Sequence, residues 1–386
     1  MERVPVAERP ENPFVFGEIV DPRNFVDREQ ELDDLVRDLA DGQKVFLLSP
    51  RRFGKSSLVS MAMLRLQKQH VRTATIPVSS YATYGQFLEK FAEKVLQAAG
   101  PWERVKDWVG RFFRRAQPEA AFNVGTGEVN VSLGRRGDED PSPLAPEVFA
   151  LPGELAKNGG FRMAICLDEF QKIQDFNGGT VENALRNEVQ KQRQVGYVFA
   201  GSQPTLMEQM LSPKRPFHKS GPRVFLQKIP DSAWRSFISR QFRNRGRQVN
   251  DDAIDTLLSA ADMIPYDVQR LAHELWDQAE LRNRAKLTSE DVREVLERLV
   301  RGQATYYERL WQQLAPRQRA LLQALCSSSS DHLLSEEVRL AYRLGPASSA
   351  QRALQGLMAQ DIVDRYGGRY FFLDPIFGQW VARAAR

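Results

Sequence analysis

Eight residues, Ser49-Pro50-Arg51-Arg52-Phe53-Gly54-Lys55-Ser56, restrict what this chain can fold into more than any other stretch. The apolar run before them, Lys44-Val45-Phe46-Leu47-Leu48, reads as a buried strand, and Ser57 through Leu64 after them read as a helix. Strand, tight loop, Gly-Lys-Ser and helix make a phosphate cradle: loop N–H groups and the positive end of the helix dipole face the anion. In such a P-loop Lys55 reaches the β- and γ-phosphates and the Ser56 hydroxyl ligates Mg²⁺. Pro50, Arg51, Arg52, Phe53, Gly54 and Ser57 are the other nucleotide-contacting positions of the loop and its exit. Ser49 stands where the usual pattern has its first Gly, which removes the easiest route to an unusual backbone angle. The plain alternative is a strand–helix turn that happens to contain Gly-Lys-Ser.

A second stretch bears on that choice. Phe161 through Gln171 is an apolar strand that ends in Asp168-Glu169, the form of a Walker B segment. Asp168 at the strand end would hold Mg²⁺, and Glu169 would orient and activate the attacking water. Two acids after a strand are commonplace alone; downstream of a P-loop they point to nucleotide hydrolysis. Gln194 through Gln203 is a further strand, and a parallel sheet would bring Ser202 and Gln203 to the same carboxyl edge as Asp168, where ligands bind in doubly wound folds. Thr73–Val78 and Arg223–Leu226 read as the remaining strands. Upstream, Asp27 is the expected cap of a helix that runs to about Asp41-Gly42, with Leu32, Leu35, Val36 and Leu39 on one face. Phe25 and Val26, just before it, either flank a nucleotide base or pack as ordinary core.

At 386 residues the chain is too long for one core and right for two or three domains. Residues 1–24 read as an arm and 25–229 as the nucleotide-binding core, with an insertion at about 101–145 that contains a hairpin around Gly125-Thr126-Gly127. Residues 230–303 read as a helical lid, in which Thr288 to Asp291 resembles a capping box. Residues 304–386 read as three helices and a hairpin turning at Gly367-Gly368, a winged helix. Its third helix offers Arg352 and Gln355 to a major groove, but Asp361 and Asp364 lie close, which favours a protein contact over DNA. The net charge of +5 permits a nucleic-acid partner without demanding one. Cys166 and Cys326 have no metal-ligand spacing and read as reduced thiols of a cytoplasmic protein, and no stretch has the length of a membrane span.

Taken together, Phe25 to Leu32, Pro50 to Ser56, Leu167 to Gln171, Gly201-Ser202 with Leu206-Met207, Arg215-Pro216-Phe217 and Arg369 to Pro375 resemble the archaeal-type ATPases of the STAND branch of AAA+ proteins. The resemblance implies an α/β P-loop core with lid and winged helix, ATP and ADP as ligands with Mg²⁺, slow hydrolysis, and a nucleotide-controlled switch in defence or signalling. It implies homo-oligomers and a protein or DNA partner at the winged helix. By position Ser202 is the sensor-one polar residue, and Arg215 is either an arginine finger for a neighbouring subunit or a plain surface charge. The family's Gly-x-Pro at the lid is Met263-Ile264-Pro265 here. An ATP-dependent nucleic-acid remodeller is the alternative role. A scaffold without turnover is the third, and an intact Asp168-Glu169 argues against it.

Overall fold

A computed structural model describes residues 11–20, 22–100, 142–176, 179–327 and 330–384. The hairpin expected near 125–127, and nearly all of the 101–145 insertion, lie outside the described residues. The chain divides into two compact units: Arg28–Arg51 with Lys55–Gln227, and Met1–Asp27 with Arg52–Gly54 and Lys228–Arg386.

The first unit is built on a parallel sheet of β1 (Lys44–Leu48), β2 (Arg72–Pro77), β3 (Met163–Asp168), β4 (Val195–Gly201) and β5 (Arg223–Phe225), in the order β2-β3-β4-β1-β5. Every pairing is parallel, with Leu48 opposite Gly201 and Asp168 opposite Ala200. All seven residues of β4 are buried, as a strand covered on both faces requires. One face carries an aromatic stack in which Phe199 lies 4.8 Å from Phe46 and 4.7 Å from Phe170, ring centre to ring centre. On the other face the Glu29–Ala40 helix comes so close to β4 that a Cβ on Gly196 would lie 2.2 Å from the Leu39 carbonyl oxygen. Backbone cannot yield there as a side chain can. Gly196→Ala is therefore expected to destabilise the protein by about 3 kcal/mol, read from the midpoint of urea unfolding. At the amino end of β1 the Lys44 ammonium donates to the carbonyls of Gly42 (2.6 Å), Gln192 (2.8 Å) and Val195 (3.2 Å), tying the turn before β1 to the approach to β4. Burial lowers its pKa to about 8.

The Glu29–Ala40 helix buries Leu32, Leu35, Val36 and Leu39 as its periodicity demands. Asp27 does not cap it. The cap position falls on Arg28, in the left-handed conformation (φ 68°) and without a side-chain cap hydrogen bond, and Asp27 is also left-handed at φ 57°. Arg28 is buried and donates to the Gln227 carbonyl at 2.9 Å, so an ion held at a carbonyl, rather than an Asx cap, sets the helix start.

The second unit is helical. Asp231–Arg243, Asp251–Ala260, Pro265–Leu281 and Ser289–Gly302 correspond to the four expected lid helices, the last opened by a capping box in which Thr288 and Asp291 bond reciprocally. The Pro316–Ser327, Glu336–Ala341 and Ala347–Ala359 helices and the hairpin of Val363–Tyr366 with Arg369–Phe372 form the winged helix, closed by a Pro375–Ala384 helix. A single apolar cluster runs through lid and winged helix, from Trp234 and Trp276 to Leu354 and Phe377. Phe14 of the amino-terminal segment sits in that cluster, 5.2 Å from Phe242 and 6.4 Å from Trp276 between ring centres. Asn12 fastens the same segment by donating to the His273 carbonyl at 3.0 Å.

Candidate active site

The parallel register brings the ends of β1, β3 and β4 to one edge, and the chemically active side chains lie there. Lys55 opens the Lys55–Lys68 helix directly after the P-loop. Its side chain is 6% exposed, and its ammonium pairs with Asp168 Oδ1 and, at 3.1 Å, with Glu169 Oε1. Burial pulls the Lys55 pKa down, but the two carboxylates outweigh it and hold the group above the ordinary lysine value. Lys55 is thus a fixed positive charge at neutral pH.

Glu169 follows β3 in the left-handed conformation (φ 53°, ψ 42°), a strained setting for a residue with a side chain. The turn points its carboxylate back at the edge. Ser202 Oγ donates to Glu169 Oε2 at 2.5 Å and Gln171 Nε2 donates to the same oxygen at 2.6 Å. Burial raises the Glu169 pKa, yet the Lys55 charge and these hydrogen bonds prevail, so the carboxyl stays below its usual range and ionised. Asp168, a quarter exposed, also accepts the Glu169 backbone N–H at 3.0 Å.

The loop itself resolves the departure at Ser49. The left-handed positions fall at Arg52 (φ 68°) and Gly54 (φ 83°), and Ser49 is not among them. Ser49 is fully buried, and its N–H donates to the Gly201 carbonyl at 3.2 Å. A side chain at 49 therefore costs no backbone strain. No acidic residue occupies the first turn of the Lys55–Lys68 helix, whose positive dipole end favours an anion. Ser56 is exposed there, Ser57 is buried, Pro50 is buried and Arg51 is exposed. A site for a phosphate chain with Mg²⁺ fits these residues: one buried ammonium at the start of a helix, one hydroxyl and one carboxylate. Among the described residues no cluster of three or more His, Cys, Asp or Glu could hold a metal alone. A cation that keeps waters and takes phosphate oxygens asks for no more than Ser56 and Asp168.

Within the second unit, Arg52 and Phe53 are engaged by their side chains. The Arg52 guanidinium lies over the Tyr266 ring at 4.8 Å and donates to the Leu373 carbonyl at 3.1 Å. It stands 3.7 Å from Asp267 and 4.0 Å from Asp374. Phe53 is buried with Ile264, Phe371 and Leu373. Asp267 is fully buried, and neither of its carboxylate oxygens has a hydrogen-bond partner among the described residues. Desolvation raises its pKa to about 7; Arg52 and Arg270 oppose that rise, while Asp374 and Asp262 add to it. Val26 is buried in this unit's core and Phe25 is half-buried, the ordinary-packing alternative for Val26. Where the lid pattern lacks its Gly, Met263 takes the left-handed angle itself (φ 50°).

Arg215 lies apart from the Lys55 cluster in its bonding. It donates at 2.5 Å to Glu182 of the Gly179–Val189 helix, a carboxylate with no exposure. Desolvation raises the Glu182 pKa and the Arg215 charge opposes it. The sequence reading had no signal for this pair, whose members are 33 residues apart. It also assigned nothing to Gln171, although the side chain was in view beside Asp168-Glu169.

Residues 305–383 match a family model described as "Probable winged helix domain". No curated protein sequence matches the chain. Among solved structures the chain is similar to a Walker-type ATPase of Pyrococcus abyssi, with 16% identity over 93% of this chain and 97% of that one and a TM-score of 0.62. It is similar also to the Aeropyrum pernix ORC2 protein in its ADPNP–ADP complexes, with 13% identity over 97% of this chain and 100% of that one and a TM-score of 0.52. At such identities the fold is what is shared: a parallel-sheet α/β core and helices followed by a winged helix.

Proposed function

We propose that this chain binds ATP and hydrolyses it to ADP and phosphate, and that it works as a molecular switch of the STAND type within AAA+ proteins. One observation carries the reading: Lys55, Asp168, Glu169 and Ser202 converge at a single sheet edge beside a helix N-terminus free of acidic residues. Lys55 and the loop amides hold the phosphates. Ser56 and Asp168 would hold Mg²⁺, which would supply positive charge to offset that of the phosphates. Glu169 takes a proton from water as the water oxygen bonds to the γ-phosphorus and the bond from that phosphorus to the bridging oxygen breaks. ATP phosphates would draw Lys55 from its two carboxylates, leaving Glu169 free to accept a proton from water.

We infer a functional division into core, lid and winged helix at residues 25–229, 230–303 and 304–386, with the last two responding to nucleotide. Arg215 is best taken as a structural charge, because a finger role would leave the buried Glu182 unpaired, a loss of about 3–5 kcal/mol. A nucleic-acid role has one observation in its favour: Arg352 and Gln355 are both exposed on the Ala347–Ala359 helix. The test of the main reading is titration calorimetry with ATP and Mg²⁺. Lys55→Ala should weaken binding by about 10–100-fold, the worth of a charge-assisted hydrogen bond to phosphate. Unchanged affinity would refute the P-loop assignment.

A further inference from the structure

Gln171 is polar, yet only 3% exposed. It lies in the short turn Phe170–Asp175, whose first residue, Phe170, is locked between Phe199 (4.7 Å) and Phe217 (5.3 Å). That anchorage turns the next side chain inward beneath the end of β4. Room for it exists because residue 201 is Gly: a Cβ there would stand 2.9 Å from Gln171 Oε1 and closer still to Met207. Gln171 Oε1 has no hydrogen-bond partner among the described residues, so the bond from Nε2 to Glu169 Oε2 at 2.6 Å alone orients the amide. Turned over, the amide would set its oxygen against a carboxylate oxygen, acceptor against acceptor.

We propose that Gln171 is a positioning residue for hydrolysis: with Ser202 it holds Glu169 Oε2, so that Oε1 is the oxygen that receives the proton of the attacking water. The role rests on the hydrolase reading above. Its logic is a division of labour within one carboxylate. Oε2 accepts two short hydrogen bonds from neutral donors whose positions are fixed by β4 and by the buried turn. Among the described residues Oε1 accepts from Lys55 alone, at 3.1 Å, and in the proposed reaction Lys55 is the group that phosphates draw away. The donors that remain are those that hold the carboxylate still, and the donor that leaves uncovers the reactive oxygen. A carboxylate gripped on one oxygen has its free lone pairs aimed, which is what proton abstraction at hydrogen-bond reach requires.

The test compares Gln171→Met, similar in length but without the N–H, with the unsubstituted protein. The expected result is a fall in kcat of about 10-fold, with KM for ATP and the calorimetric Kd for ADP unchanged. On a Glu169→Gln background the same substitution should cost nothing more, because no carboxylate is left to hold. A readout free of turnover is nitrogen-15 NMR of the nucleotide-free protein, in which the Gln171 side-chain amide should exchange slowly with solvent and shift in Glu169→Gln. This measurement serves even if Gln171→Met fails to fold. Unchanged kcat, a rise in KM alone, further slowing on the Glu169→Gln background, or an amide insensitive to Glu169→Gln would each overturn the role while leaving the hydrolase reading in place. No ATP turnover by the unsubstituted protein would overturn that reading, and this role with it.

Discussion

Glu169→Gln is expected to lower the ATP turnover number by about 10²–10⁴-fold, the usual worth of a general base, while ATP affinity is retained or improved. A carboxamide cannot take up the proton that water must lose. The surroundings sharpen the expectation. Glu169 Oε2 accepts from Ser202 and Gln171, so an amide at this position must turn its own oxygen to those two donors and its NH₂ toward Lys55. Lys55 then keeps only Asp168 as a carboxylate partner and is held less tightly away from the phosphates. Single-turnover hydrolysis of radiolabelled ATP gives the chemical step, and calorimetry gives the affinity. A variant that turns over at the unsubstituted rate would remove Glu169 from the mechanism.

The second large effect concerns stability and Asp267. Its carboxyl is fully buried, and its pKa rises from the ordinary 3.8 to about 7. The groups that face it are Arg52, Arg270, Asp374 and Asp262. Folded protein keeps the proton over a range where the unfolded chain has released it. The stabilisation is therefore complete below pH 3.8 and is lost as pH rises through about 7. A shift of that size corresponds to about 4 kcal/mol. Asp267→Asn keeps the neutral shape and cannot ionise. Near pH 4 it should melt close to the unsubstituted protein, and its advantage should grow to as much as about 4 kcal/mol at pH 8. Paired urea titrations across this range measure the difference directly. A constant offset between the two proteins at every pH would mean that Asp267 does not titrate in the folded state.

How far the site could be read in advance varied with how local each determinant is. The P-loop, β3 with Asp168-Glu169, and the placement of Ser202 at the same edge follow from short contiguous patterns, and the parallel sheet assembles them. Four lid helices and the wing hairpin followed from periodicity and from Thr288 and Gly367-Gly368. What escaped depended on tertiary space. Asp27 looked like a cap, but a left-handed Arg28 anchored to the Gln227 carbonyl starts the helix instead. Gln171 looked like a polar turn residue, and its burial depends on the empty Cβ position of Gly201. Glu182 and Arg215 meet only once their elements are packed. Ser49 looked costly at a Gly position until the left-handed angles were found at Arg52 and Gly54.

The seat of Phe14 has a consequence for the order in which the protein forms. Asn12 and His273 are separated by 261 positions along the chain, and Phe14 by a similar interval from Trp276. Contacts that close so large a loop are slow to form and come late. The α/β unit from Arg28 to Gln227 has all its strands in hand before any lid residue has been synthesised. The segment that carries Phe14 precedes these elements in the chain, yet its aromatic anchor has no partner until the helices at Asp231–Arg243 and Pro265–Leu281 exist. A segment placed early in the sequence is thus among the last to find its seat.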